Sequence, residues 1–501
     1  LYDDNLVEKK ILAVENSNQK IYQFKPYDGF EIISVGKTKN VLETLLKISQ
    51  SIDTELCVIN PITTIPVSAP RLKTSIYFSD KKFYRENWAS IGFTEDNKIV
   101  FKDRHYKDSL NNPEYAFTGK VEGKTKDIII GLKHLIRKNN DDLIDLAEYL
   151  YKNYSTEIIY ENWLDLGHRS TYQNCRYEII SSRYFNNLKY NHKNSTIEKS
   201  SYNKKPYYEG KFIENLPINL KKYFPNLIDK GMTNNHSYII MEYINYPNLS
   251  ETYLYADIGK NNWNIIMNKL NNVLFDFYDR LEIYKGNMEG LYSHKLKERK
   301  KILEQILLKE EYKNLNHLYK SNITVNGIKM NSISDSMEDC LRELAKLDKN
   351  RCGHLGHGDL CFNNILCEPI SGTLKLIDPK AYKNPNSTII GLNDKLYDIA
   401  KLYHSISFLY DSIVNNLYSF KFDNHKQIDL KIYKPKEYFI VNKLFENIIE
   451  NHKINKHELK IVTSSLFFSM LPLHKDDEER MLVLSIIGSL ILYNQTIKSL
   501  I

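Results

Sequence analysis

The sequence predicts an α/β layered N-terminal domain followed by a two-lobed α+β domain. Three observations carry this. Up to about residue 165, short β-branched runs alternate with segments of helical periodicity, the pattern of a layered α/β unit. From about residue 175 a β-rich segment precedes a mostly helical one, which a single hairpin interrupts. The length, 501 residues, exceeds one ordinary core. The expected boundaries are 1–174 for the first domain, 175–260 for the β-rich lobe and 261–501 for the helical lobe, with its hairpin in 354–382.

In the first domain "KNVLETLLKISQSI" places Val41, Leu45, Leu46 and Ile48 at helical spacing, and "TELCVINP" is a β-branched run closed by a turn. "TKDIIIGLKHLI" and "DDLIDLAEYLYKNY" are further elements, the second with acidic residues in its first turn, as a helix start favours. In the β-rich lobe, "RYEIISSRYFNNLKYNHKNSTIEKSS" reads as strands joined by a polar, Asn-rich turn. "PYYEGKFIENL" reads as a helix and "SYIIMEYI" as a strand. After Trp263 come helices in "NIIMNKLNNVLFDFYDRLEIY" and "HKLKERKKILEQILLK", then the hairpin, then helices from "NDKLYDIAKLYHSISFLYDSIVNN" to the end. "MLVLSIIGSLILY" (Met481 to Tyr493) is too short to span a bilayer and reads as a buried core helix.

Hydrophobic residues make up 42% and charged residues 26%, which places the chain among globular proteins with a normal core. The net charge of +7 is a mild excess over this length. It favours phosphorylated ligands or an anionic membrane surface, and it does not mark a nucleic-acid binder. The basic run Lys295 to Lys301 has acidic neighbours in a helical pattern and reads as a solvated helix face. Six cysteines without a C-x-x-C pair suggest reduced thiols and a cytoplasmic setting. The chain opens on Leu1, without a signal peptide, which leaves room for a segment upstream.

The densest chemistry lies in "HLGHGDLCFNNILCEPISGTLKLIDPKAY". Cys352, His354, His357, Cys361 and Cys367 are all ligand types, but their spacing is irregular for zinc. "FNNILC" also looks like a strand entering the core, where Cys behaves as a small hydrophobe. A different set is better ordered. "HGDLCFNN" fits H-x-D-L-x-x-x-N through His357, Asp359 and Asn364, and Asp378 follows Asn364 by 14 residues. "EPISGT" supplies a turn, so "NILC" and "LKLI" form a hairpin that brings Asn364 beside Asp378. An amide oxygen and a carboxylate there could share a divalent metal, with Asp359 facing an acceptor hydroxyl: the parts phosphoryl transfer needs.

Here "HGDLCFNNIL…LIDPK" resembles the catalytic and metal-binding loops of the aminoglycoside phosphotransferase and choline kinase group, small-molecule kinases with a protein-kinase-like fold, of the bacterial capsule-cluster type. The resemblance covers about residues 175–501. It implies Asp359 as catalytic aspartate, Asn364 and Asp378 as Mg²⁺ ligands, and His357 and Asp398 as braces of the catalytic loop. It also implies a strand lysine holding the ATP phosphates, Lys199, oriented by a helical glutamate, Glu209, with Glu214 competing. "SYIIMEYI" resembles the hinge strand, whose backbone around Met241, Glu242 and Tyr243 would bond adenine. No G-x-G-x-x-G precedes Lys199, and Asp378 is followed by Pro and Lys. Both departures point to a small-molecule acceptor and away from a protein substrate. Lys380 is either a charge near the phosphates or a surface lysine. His474 and Asp476 lie either on the acceptor side or in a helix cap.

In the first domain, "YENWLDLGHRSTYQNCR" resembles the W-x-D-x-G…Y segment of sugar-phosphate nucleotidyltransferases, whose fold is Rossmann-like. "AFTGKV" resembles that family's sugar-contacting strand, and "VGKTKNVLETLL" its base-contacting loop. The likeness implies Asp165 as a metal-binding remnant. The family's Gly-rich triphosphate loop is missing, and Asn60 stands where a second metal-binding Asp is expected, so the domain is expected to be degenerate.

The resemblances together imply an ATP- and Mg²⁺-dependent kinase of a sugar, polyol or amino alcohol in surface-polysaccharide synthesis. The alternatives are a bifunctional kinase/nucleotidyltransferase and a nucleotide-binding pseudoenzyme scaffold. The expected partner is a small-molecule acceptor, with no nucleic acid and no transmembrane segment. The oligomeric state is left open.

Overall fold

The computed structural model describes residues 8–14, 29–66, 70–71, 73–79, 88–96, 98–103, 114–167, 172, 175, 187–191, 193–233, 236–278, 286–287, 290–349, 352–381, 391–423, 427–495 and 497–501. The strand reading of 176–186 lies outside them. The chain divides into two compact units, Leu1–Gln23 with Tyr27–Ile180, and Phe24–Pro26 with Ser181–Ile501.

A six-stranded sheet carries the first unit. Its long strand Tyr115–Lys124 pairs antiparallel with Leu56–Ile59, Ser75–Ser79 and Ser90–Phe93. Ser75–Ser79 also runs parallel to Glu157–Glu161. The α/β layering expected from the sequence is therefore present, but the sheet is mixed and departs from an all-parallel, doubly wound order. Three helices, Val41–Ser49, Thr125–Arg137 and Leu143–Asn153, pack their apolar stripes (Leu42, Ile128, Leu132, Leu146, Leu150) on Ile76, Phe78, Ile91 and Val121. Local signals set the helix starts. The Asn40 side chain accepts from Glu43 N–H at 2.9 Å, and Asp142 with Asp145 forms a reciprocal capping box.

The second unit begins with a four-stranded antiparallel sheet in the order Asn187–Asn191, Thr196–Ser201, Ser237–Glu242, Leu227–Met232, with helix Lys205–Asn215 packed on it. Helices then dominate: Gly259–Tyr278, Leu291–Leu307, Ile333–Leu347, Lys395–Ile406, Tyr438–Asn451, Lys456–Met470 and Glu478–Leu492. One continuous apolar cluster runs from Phe212 to Leu500. The expected core helix is buried at every position from Met481 to Ile491. No helix among the described residues is long and apolar enough to cross a membrane.

The expectation of a single hairpin followed by helices to the end is corrected. A second four-stranded sheet joins Ile323–Val325, Ile328–Met330, Gln427–Ile432 and Tyr418–Phe422. Its first hairpin turns at Asn326 (φ 46°) and Gly327 (φ 81°), two consecutive left-handed residues, as a tight Asn-Gly hairpin turn requires. "QIDLKI" alternates exposed and buried along its length, the period of a strand. Gly327→Val, a branched side chain at positive φ, is expected to cost roughly 1–2 kcal/mol and to lower the thermal midpoint, whereas Gly327→Asn should lower it much less. A Gly327→Val protein melting with the parent would remove this turn's role.

Candidate active site

Short strand Cys352–Leu355 pairs with Leu392–Asn393 and delivers the chain into the loop His357–Leu360. Gly358 turns that loop at φ 74°, with the Asn393 side chain in the space a Cβ would fill. Asn393 Nδ2 donates to the carbonyls of Gly356, Lys380 and Gly391, tying the loop to the segment after the hairpin.

His357 is fully buried, and both ring nitrogens are engaged. Nδ1 accepts from Asp359 N–H at 3.2 Å, so Nε2 carries the proton and donates to Ile377 O at 2.9 Å. Burial holds the ring neutral by lowering its pKa. Its own N–H donates to Asp398 Oδ2 at 2.9 Å, the oxygen that also accepts from Tyr278 OH at 2.5 Å. Burial raises the Asp398 carboxyl, and the pull of His357 and of these donors only partly opposes it.

Hairpin Ile365–Cys367/Leu374–Leu376 places Ile365 opposite Leu376, and Ile377 N–H donates to Asn364 O at 3.0 Å. Asn364 Nδ2 donates to Asp359 O at 2.9 Å, so the amide's oxygen remains to face a ligand. Asp378 follows at φ 59°, a strained setting for a non-glycine residue. Its Oδ1 lies 2.6 Å from Lys199 Nζ, across 179 positions of sequence.

Lys199, on strand Thr196–Ser201, is only 7% exposed, which ends its reading as a surface strand lysine. It also bonds Glu209 Oε2, on helix Lys205–Asn215, at 2.7 Å. Of the two competing glutamates, Glu214 pairs with Lys230 instead. Burial would lower the Lys199 pKa, but two carboxylates outweigh it and raise it. Burial pushes Glu209 up to about 7, against the pull of Lys199.

The hinge expectation needs correction. Met241 and Glu242 lie in the ladder opposite Ile197 and Thr196. Glu242 N–H donates to Asn226 O and Tyr243 N–H to Ser195 O, both at 2.9 Å. These donors are spent on the sheet. Ile244, beyond the ladder, is the first residue whose N–H takes no partner among the described residues.

Around Asp359 the structure gathers Lys380 together with Lys401 and Lys295, neither of which the sequence reading placed in the site. Lys401 Nζ lies 2.8 Å from Asp359 Oδ1 and Lys380 Nζ 3.8 Å from Oδ2. Burial alone would raise this carboxyl, but Lys401 and then Lys380 hold it well below the ordinary carboxylate range. Lys295 donates to Tyr397 OH. The Nζ atoms of Lys295, Lys380 and Lys401 lie 4.9, 5.5 and 6.0 Å from the Tyr397 ring centre. Lys295 therefore does not belong to a solvated helix face. It shares a stripe with Tyr292, Leu296 and Leu303, and its helix start is capped by buried Asp348, which accepts from Tyr292 N–H and Ser293 N–H. The signal that could have found it is this helical spacing. For Lys401 the signal is its position three residues past Asp398, on a helix buried nearly throughout.

The remaining candidates fall elsewhere. Cys361 and Cys367 are buried thiols pushed up to about 12, unsuited to metal-binding thiolates. Among the described residues no cluster of three His, Cys, Asp or Glu could hold a metal. His474 and Asp476 both contact Arg480, in the turn before the helix that Asp477 caps. In the first unit, Asp165 is buried and accepts from Gly167 N–H at 2.8 Å, on a strand paired with Thr64–Pro66. Asn60 Nδ2 donates to the carbonyls of Pro61 and Thr64, bracing the turn before that partner strand. Strand Tyr115–Lys124 also buries Lys120, 3.9 Å from Glu161 and 3.9 Å over the Tyr77 ring.

No family model and no curated protein sequence matches the chain. Solved structures do resemble it. Aminoglycoside phosphotransferase APH(4)-Ia shares 9% identity at a TM-score of 0.40, covering 65% of this chain and 98% of its own. Aminoglycoside-3'-phosphotransferase of type VIII shares 12% at 0.35, covering 58% and 92%. A putative glucose-1-phosphate thymidylyltransferase from Bacillus anthracis shares 12% at 0.29, covering 35% and 77%.

Tyr397 offers a direct check of the lysine cluster. Burial would raise its phenol, but Lys295, Lys380 and Lys401 outweigh that and bring it down to about 7. A near-ultraviolet titration should show one tyrosine ionising around pH 7, lost in Tyr397→Phe. Tyrosinate absorbance that develops only near the ordinary value of about 10 would contradict the arrangement.

Proposed function

We propose that the chain is an ATP- and Mg²⁺-dependent phosphotransferase acting on a hydroxyl group of a small molecule. The observation that carries this reading is the junction of Lys199 with Glu209 and Asp378, at 2.7 and 2.6 Å, together with Asp359 on the adjoining loop, its carboxylate paired with Lys401 at 2.8 Å. In this reading Lys199 neutralises the ATP phosphates and Glu209 orients it. The Asn364 oxygen and the Asp378 carboxylate are hard oxygen donors that suit Mg²⁺, which would screen the phosphate charge. Among the described residues no third His, Cys, Asp or Glu joins them, and phosphate oxygens would complete the set.

Asp359 accepts a hydrogen bond from the acceptor hydroxyl and aligns its oxygen for in-line attack. Its low proton affinity suits a loose transition state, in which the proton leaves late and orientation matters more than basicity. The backbone beyond Tyr243, starting at Ile244, meets the adenine. Sugars, polyols and amino alcohols are the acceptor classes the family resemblance suggests, and surface-polysaccharide synthesis in the cytoplasm is the matching context. We read the first unit as a degenerate nucleotidyltransferase-like domain. Asp165 remains there, but Asn60 braces a turn with its amide in place of a second metal-binding carboxylate.

The test is acceptor-stimulated ADP release from Mg-ATP across a panel of sugars, polyols and amino alcohols. Asp359→Asn should lower the stimulated rate by about 10²–10⁴-fold while still binding nucleotide. Asp378→Ala should abolish the Mg²⁺ dependence of nucleotide binding. Undiminished transfer by Asp359→Asn would sink the assignment.

A further inference from the structure

Beside the reacting carboxylate the chain assembles a positive cluster that a neutral or cationic acceptor does not need. Three ammonium groups converge within 6.0 Å of one ring, that of Tyr397. They come from separate elements: Lys295 from helix Leu291–Leu307, Lys380 from the chain after the hairpin, and Lys401 from helix Lys395–Ile406. Lys401 is 8% exposed at its side chain and Lys380 26%. Lys401 and Lys380 flank Asp359, whereas Lys295 makes no ion pair with any carboxylate among the described residues and bonds Tyr397 OH. Like charges gathered away from bulk water repel, and the repulsion grows as the local dielectric falls. Such an arrangement is stabilised when an anion enters it.

The two ends of the site have opposite balances. At Lys199, two carboxylates meet one ammonium, an excess of negative charge suited to a cation. At Asp359, among the described residues, its carboxylate and the acidic phenol of Tyr397 meet three lysines, which leaves an excess of positive charge. Lys295 and Lys401 belong to helices that take no part in the Lys199 junction. A hydroxyl bonded to Asp359 would extend the rest of its molecule among these lysines.

We propose that the acceptor is an anionic hydroxyl compound, a polyol or sugar bearing a carboxylate or phosphate within a few bonds of the reacting hydroxyl, and that Lys295, Lys380 and Lys401 bind that anionic group. This rests on the phosphotransferase reading above. The hydroxyl oxygen forms a bond to the γ-phosphorus, the bond from that phosphorus to the bridging oxygen breaks to release ADP, and the hydroxyl proton passes by Asp359 to solvent. The acceptor's anionic group is unchanged. Cationic acceptors are disfavoured by the same lysines.

The experiment compares matched acceptors on the full chain: D-glucose, D-glucosamine, D-glucuronate and D-glucose 6-phosphate, with glycerol and glycerol 3-phosphate. ADP release gives kcat/KM, and Mg-ATP affinity is titrated separately without acceptor. The expected result is a preference of at least about tenfold for an anionic member over its neutral counterpart, with the amino sugar poorest. The carboxylate and phosphate arms separate the two anion types. Lys295→Met should raise KM for the preferred anion by about 10–100-fold, leave Mg-ATP affinity unchanged and leave the weak neutral acceptors as they were. Lys295→Arg should restore most of the loss. Lys380→Ala should likewise raise KM for the preferred anion without weakening Mg-ATP binding, and it serves if Lys295→Met does not fold. Equal or better use of neutral or cationic acceptors overturns the proposal, as does a Lys295→Met defect confined to Mg-ATP binding. Intact Mg-ATP binding with no stimulation by any anionic acceptor overturns it too. Failure to bind Mg-ATP at all would instead overturn the phosphotransferase reading beneath it.

Discussion

The candidate site hangs on one buried carboxylate. Asp398 is 1% exposed and accepts from His357 N–H and Tyr278 OH through the same oxygen. An uncompensated carboxylate at that depth would be costly, and these donors are what make it tolerable. What Asp398 holds in place is His357, whose ring reaches Asp359 N–H on one side and Ile377 O on the other. Asp359 and Asp378 sit on different loops, and their mutual placement is transmitted through that imidazole. Asn393 supplies a second staple between the same segments, across Gly356 and Lys380.

From this frame the electrostatics divide into two unlike halves. Lys199 is a buried cation shared by Glu209 and Asp378, so any positive charge arriving there relieves a crowding of carboxylates. Asp359 is a carboxylate shared by lysines, and its surroundings relieve their own crowding by taking an anion. A single chain of packed loops thus sets a cation-seeking end against an anion-seeking end.

Much of this was legible in the linear chain. The spacing of His357, Asp359, Asn364 and Asp378 around the "EPISGT" turn implied a hairpin that sets Asn364 beside Asp378; the hairpin is present, and its register sets Asn364 opposite Ile377, one residue before Asp378. Helix starts followed from Asn40 and Asp142, whose caps act over one turn. The Asn-Gly pair at 326–327 is an equally local hairpin signal, written in two consecutive residues. Local rules failed where a side chain's environment is built by distant segments. Lys295 looked like one charge in a solvated run, and only the packing of its helix against Tyr397 turns it inward. The donors of Glu242 and Tyr243 looked free, until the sheet order placed Asn226 and Ser195 opposite them.

The sequence by itself determined the identity and loop spacing of the residues offered for chemistry, the hairpin between Asn364 and Asp378, and the alternation of strands and helices. These depend on turn geometry and on periodicities of a few residues. Only the tertiary structure decided that Lys199 selects Glu209 over Glu214 and bonds Asp378 across 179 residues, and that three lysines from separate elements surround Asp359 and Tyr397. The reason is physical. Electrostatic partnership depends on distance in space and on the exclusion of water, and neither is encoded by separation along the chain.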